Sequence, residues 1–205
     1  NDPEFVSFMM DGQTLPLEDY LQVKPYNREK LTKYIREGRI VIGPWYILPD
    51  EILITGESHI RNYLLGTHIA RSFGAEKMQI GYLPDSFGHP SQMPQILTGL
   101  GMDTIMFWRG ATQEIDKTEF FWRAPDGTRI FTVLMPDGYC TGAELSADPD
   151  ITAARLDQFI ENFHAYATTD KIYLSNGGDH LEPSPHLSRV LREANKRMKN
   201  GRVVH

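Results

Sequence analysis

Only one cysteine, Cys140, stands in the 205-residue chain. Without a second thiol there is no intrachain disulfide framework and no zinc centre built from cysteines. No apolar run reaches the roughly 20 residues that a membrane-spanning helix needs, and no leader of signal-peptide type opens the sequence. Positive charge is in short supply: 21 Lys and Arg against 27 Asp and Glu give a formal charge of −6 and a pI near 5.6. That balance argues against a phosphate-tracking protein, so neither nucleic acid nor a membrane is an expected partner. Internal repeats, low-complexity tracts and linker-like segments are lacking too. What is left is 40% hydrophobic and 23% charged residues, the balance of a soluble globular chain, with a reducing, cytoplasmic setting as the default. The chain opens on "NDPEF" without an initiator Met and ends on "RVVH", which reads as a strand just starting. It is expected to be a piece of something longer.

Strand-like and helix-like stretches alternate along this chain. "FVSFMM" (Phe5–Met10) reads as a buried strand, "YNREKLTKYIREG" as an amphipathic helix ended by Gly38, and "RIVIG" as a strand. "ESHIRNYLLGTHIARSFG" reads as a helix stopped by Gly74, followed by the strand "QIGYL", a helix near Gln92–Leu100 and the strand "TIMFWRG". "FFWRAPDGTRIFTVLM" carries a hairpin signature around Pro125-Asp126-Gly127. A helix over Ile151–Ala167, the strand "KIYLSNGGDH" and a helix over Ser188–Asn200 complete the series. The alternation indicates an α/β protein with a mainly parallel sheet, either doubly wound or part of a (β/α) barrel. In both, ligands meet the C-terminal ends of strands.

Those strand ends are rich in chemistry. Asp11 follows the first, Trp45 and Asp50 the second, and Trp108 with Arg109 the strand ending at Phe107. Asp137 and Tyr139 follow Met135, while Asn176, Asp179 and His180 follow Ser175. The stretch "GYLPDSFGHPSQMPQIL", Gly81 to Leu97, places Asp85, Phe87 and His89 between a strand and a probable helix. An Asx-type turn, with Asp85 serving local N–H groups, is the plain reading of that segment. Carboxylates set among exposed rings also suit a sugar, because rings cover its C–H faces while carboxylates bond hydroxyls or do chemistry.

"GYLPDSFGHPSQMPQIL", with "GPWYILPDE", "GESHIRN", "FWRG" and "NGGDH", resembles the catalytic domain of glycoside hydrolase family 38, the α-mannosidases. The bacterial branch that includes mannosylglycerate hydrolases is the nearest in pattern. The resemblance implies a retaining α-mannosidase on a distorted (β/α) barrel with an active-site divalent metal, usually zinc. It implies that Asp85 is both nucleophile and metal ligand, and that Asp179 is the general acid/base. Phe87, Arg109 and Tyr139 are implied as substrate-site residues, and Trp45 and His180 are grouped with them. The chain is then a single partial domain over residues 1–205, lacking its first strand and the C-terminal portion. The family's His-x-Asp pair and a downstream His have no counterpart here, which leaves Asp85 alone among the expected ligands. His89 and His180 are not the family's ligands.

Retention requires one carboxylate that attacks the anomeric carbon and a second carboxyl group that protonates the leaving oxygen and then deprotonates water. Asp85 and Asp179 both follow strands, so they can converge over one mouth. Expected partners are an α-mannoside and, through exposed sheet edges, further copies of the chain. Two other readings are a metal-dependent carbohydrate deacetylase and a non-catalytic carbohydrate-binding fragment. The isolated chain is expected to be inactive and to bind zinc weakly. Trp108 and Trp122 read as packing, as does Cys140. His59, His68 and His164 read as surface or satisfied core residues, and Asp126 as turn chemistry.

Overall fold

The computed structural model describes residues 4–76 and 78–204. The elements run β1 (Phe8–Met9), α1 (Leu15–Val23), α2 (Arg28–Arg36), β2 (Ile40–Val41), α3 (Gly56–Ser72), β3 (Ile80–Leu83) and α4 (Met93–Gly99). They continue with β4 (Thr104–Phe107), β5 (Glu119–Arg123), β6 (Arg129–Leu134), α5 (Pro149–Phe163) and α6 (Leu187–Asn195). The result is a mixed α/β chain in which β1–β2 and β3–β4 pair in parallel. It divides into two compact units. One holds Ser7–Thr112 and Phe120–Val133; the other is built mainly from Gln113–Glu119 and the residues from Leu134 onward.

In the first unit, the apolar sides of α1, α2, β2 and α3 meet in a cluster of Leu17, Ile35, Ile42, Ile69, Ala70 and Phe73. Helix α3 follows from its sequence. Thr55 caps it by accepting from Ser58 N at 3.2 Å, Glu57 sits in the first turn and Arg71 in the last, each matched to the helix dipole. His59, Tyr63, Gly66, Thr67 and Ala70 recur at helical spacing and are its buried face. Helix α1 is absent from the sequence expectations, and it carries Pro16 in its first turn. Proline is tolerated in a first turn, where its missing N–H has no helical partner anyway.

The four-stranded sheet of this unit has the order β3-β4-β6-β5. The register of its parallel pair sets Ile80 against Thr104 and Leu83 against Phe107. Both strands therefore end level, and Pro84-Asp85 and Trp108-Arg109 leave the sheet side by side. The expected hairpin forms: Ala124 N donates to Thr128 O, and Asp126 accepts from Thr128 N in an Asx turn.

The second unit packs α5 on α6 through Ala153, Leu156, Leu187, Leu191 and Ala194, with Phe5 against the same cluster. Asp148 caps α5, accepting from Asp150 N at 2.8 Å. Three strand expectations fail in whole or in part. Only Phe8–Met9 of "FVSFMM" is a strand, because Phe5 is drawn into the second unit's core instead. "KIYLSNGGDH" is irregular: Gly142 N to Ser175 O and the side chains of Thr141 and Asn176 hold it, not a strand ladder. "RVV" at 202–204 is also irregular, and His205 lies outside the described residues. Among the described residues no helix is long and apolar enough to cross a membrane.

Candidate active site

Three loops of the first unit converge behind β3 and β4. The loop after β3 supplies Asp85, Phe87 and His89. Arg109 follows β4 by two residues, and the loop after β2 supplies Glu51, in a one-turn 3-10 helix over Glu51–Leu53. Asp85 and Arg109 form an ion pair between Oδ1 and Nε, each side chain about 40% exposed. The contact is one of charge and not of a directed hydrogen bond, and Asp85 Oδ1 accepts no local N–H among the described residues. The Asx-turn reading of Asp85 therefore gives way to a pairing with Arg109. The Arg109 guanidinium also lies 4.9 Å from the ring centre of Phe87 and 4.3 Å from that of Trp108, which orients it by cation–π attraction. Phe87 itself is 63% exposed, which leaves a face of the ring open beside the Asp85–Arg109 pair.

Behind this pair sits a buried one. His89 Nδ1 lies 2.7 Å from Glu51 Oε1, and His89 Nε2 lies 2.7 Å from the Arg109 carbonyl oxygen. The Glu51 side chain is wholly buried, and His89 is nearly so. Phe107 covers the imidazole at 4.3 Å between ring centres, and Trp122 meets it edge-on at 6.0 Å. Burial lowers the His89 pKa, but the hydrogen bond and charge of Glu51, with the Arg109 carbonyl, outweigh it and raise the pKa above its ordinary value. A carboxylate and a carbonyl are both acceptors, so a ring charged and donating from both nitrogens satisfies them. With both nitrogens so engaged, His89 has no lone pair to offer a metal.

Trp45 corrects an expectation. The ring is completely buried, donates Nε1–H to Tyr82 O at 2.8 Å and packs its edge on Tyr63. It has no open face for a sugar and is a core residue. Trp108 and Trp122 are half-buried. His59 is a core histidine whose Nε2 meets the Glu51 carbonyl, while its buried Nδ1 has no hydrogen bond among the described residues; His68 and His164 are exposed.

The remaining candidates lie in the second unit. Tyr139 Oη donates to Asp179 Oδ2 at 3.4 Å, a long contact. Asp179 and His180 are both exposed, and His180 takes a left-handed φ of 60°. Cys140, expected to pack, is exposed instead, and its Sγ lies close to Gly178.

No three His, Cys, Asp or Glu side chains of the described residues come together as a metal site. Asp85 is the one expected ligand present, and its Oδ1 faces Arg109. These residues alone do not fit a zinc centre.

Glu51, buried against His89, is the residue of this candidate site that the sequence reading passed over. A carboxylate directly before Ile52-Leu53-Ile54, in a loop after a strand, was the available signal: acidic groups in apolar company are seldom left unpaired.

A strand-end carboxylate paired with arginine beside an exposed aromatic ring has groups that suit a sugar, whose C–H faces a ring can cover and whose hydroxyls a carboxylate can bond. Comparison with known proteins is consistent with that reading: residues 1–204 match the model of the N-terminal domain of glycosyl hydrolases family 38, and the chain belongs to that family. It is 37% identical to a protein of Halalkalibacterium halodurans named "Putative mannosylglycerate hydrolase", over 94% of this chain and 23% of that protein. An alpha-mannosidase of Saccharomyces cerevisiae is 26% identical over 92% of the chain and 17% of its own length. The crystal structure of an alpha-mannosidase from Enterococcus faecalis superimposes with a TM-score of 0.91 at 36% identity, covering 97% of this chain and 23% of that one. The chain thus spans about a quarter or less of the length of these relatives.

Proposed function

We propose that this chain carries part of the active site of a retaining α-mannosidase acting on a soluble α-mannoside in the cytoplasm. The observation that supports it most is the Asp85–Arg109 ion pair at the ends of two adjacent parallel strands, beside the exposed ring of Phe87. With the family reading comes the distorted (β/α) barrel. Among the relatives, the mannosylglycerate hydrolase name favours a small mannoside with an acidic aglycone as substrate.

In this reading Asp85 attacks the anomeric carbon. The C–O bond to the aglycone breaks as the new carboxylate–carbon bond forms, and Asp179 delivers its proton to the departing oxygen. Asp179 then takes a proton from water as the water oxygen attacks the same carbon and Asp85 leaves, so each carboxyl group ends as it began. Arg109 holds Asp85 by charge, Phe87 covers a C–H face of the sugar, and Tyr139 and His180 bind near Asp179. A divalent metal, where the whole protein holds one, would grip sugar hydroxyls and favour ring distortion. The residues described here do not build its site, and no step above depends on it. Two inversions at one carbon return the starting configuration.

Proton NMR of the first sugar released by the whole protein from an aryl α-mannoside tests this. Initial α-mannose is expected; initial β-mannose would remove Asp85 from the nucleophile's role.

A further inference from the structure

Three loops meet at His89. Ser86 Oγ donates to Pro49 O at 3.0 Å, which ties the loop after β3 to the one carrying Glu51. A Cβ added to Gly110 would lie 2.7 Å from Gly88 Cα and 2.9 Å from His89 Cδ2, so the loop after β4 is pressed directly on the imidazole segment. Glu51 Oε2 has no hydrogen bond among the described residues. The contact with His89 is therefore what compensates the burial of this carboxylate. A buried ion pair is seldom better for stability than an apolar pair of the same volume. Its distinctive property is directional: one imidazole nitrogen is aimed at a carboxylate and the other at a single main-chain oxygen.

That oxygen belongs to Arg109. The residue whose backbone is pinned from behind is the one whose guanidinium meets Asp85 in front. We propose that Glu51 and His89 are positioning residues for the glycosidase reaction, holding the main chain at Arg109 so that its guanidinium stays on Asp85. This rests on the α-mannosidase reading above. The chain of contacts runs Glu51, His89, Arg109 main chain, Arg109 side chain, Asp85, and each link is a named distance or ion pair within one compact unit. A group misplaced by about 1 Å can cost about 10²-fold in rate, which is ample selection for such a device.

The test uses the whole protein, an aryl α-mannoside, and the variants Glu51→Gln, His89→Gln, Arg109→Lys and His89→Gln/Arg109→Lys. Glu51→Gln and His89→Gln should each lower kcat about tenfold or more, with KM little changed. The double variant should be no slower than Arg109→Lys alone, because His89 acts through Arg109. Losses that multiply in the double variant would overturn the proposal, as would single variants that raise KM and leave kcat intact. Should His89→Gln not fold, the near-isosteric Glu51→Gln paired with Arg109→Lys gives the same comparison. A wild-type protein inactive on α-mannosides would sink the α-mannosidase reading instead. The positioning then stands or falls on crystal structures of wild type and Glu51→Gln: an Arg109 guanidinium displaced from Asp85 in the variant supports it, and an unmoved one overturns it.

Discussion

Arg109 makes three contacts with one guanidinium: the Asp85 carboxylate, the Phe87 ring and the Trp108 ring. A planar, delocalised cation is suited to stacking and pairing at once, whereas an ammonium is a hydrated point charge on a flexible stem. The pair is about 40% exposed, so solvent screening leaves little of it as stability. The value of the contact lies in aim. Arg109→Lys keeps the charge and loses the fork and the stacking. A charge displaced by about 1 Å from the group it serves can cost about 10²-fold in rate, so kcat/KM on an aryl α-mannoside should fall about 10- to 100-fold while the melting temperature stays close to wild type. Wild-type kcat/KM in the lysine variant would show that Arg109 does not serve Asp85. At this scale strand ends and the "DSFGH" and "FWRG" motifs single out Asp85, Phe87 and Arg109, and the structure brings these three side chains together. The sequence was uninformative for Glu51, whose role depends on a partner 38 positions away. It misled for Trp45, because a residue after a strand can turn back into the core as readily as out toward a ligand.

At the scale of elements, α3 is the support for the loop that carries Glu51. Asn62 of α3 accepts from Tyr46 N and Ile47 N at 3.0 Å each and donates to Ile47 O at 2.7 Å, so one amide satisfies three main-chain groups of the segment after β2. Gly66, one turn further on, lets that segment lie against the helix backbone: an added Cβ would fall 2.3 Å from the Trp45 carbonyl carbon. Main chain cannot give way as a flexible side chain can, and Gly66 is needed for closeness, not for its φ. In an open helix, Gly→Ala gains about 1 kcal/mol from propensity. Here overpacking should reverse the sign, and Gly66→Ala should destabilise by about 1–3 kcal/mol, read as a lowered denaturant midpoint with an unchanged slope. A variant as stable as wild type would mean that the helix and the Trp45 segment are not in contact. The helical period of α3 and its stop at Gly74 were legible. The docking of Gly66 was not, because a mid-helix glycine in a sequence does not say what approaches it.

For the whole molecule, the alternation of strand and helix foretold an α/β chain, and the parallel pairs β1–β2 and β3–β4 bear it out. Strand lengths were overestimated wherever apolar β-formers ran past the last paired residue, as in "FVSFMM". Hydrophobic pattern shows which residues avoid water, not which backbone groups find a ladder. The same limit governs the metal. Zinc takes four ligands in a closed site, or three and a water in an open one. Asp85 is the one expected ligand on this chain, its Oδ1 is already opposed by Arg109, and His89 is turned away with both nitrogens occupied. His180, exposed beside Asp179, sits in the other unit, where no third donor joins the two among the described residues. A single carboxylate competes poorly with bulk water for a hydrated dication. Calorimetric titration of the 205-residue chain with zinc should therefore show binding no tighter than the millimolar range, and the chain by itself should leave aryl α-mannosides intact. A sub-micromolar site lost in His180→Ala would make His180 a ligand. One lost in His89→Ala would mean that the imidazole leaves Glu51 for the metal, and the positioning role assigned to that pair would go with it.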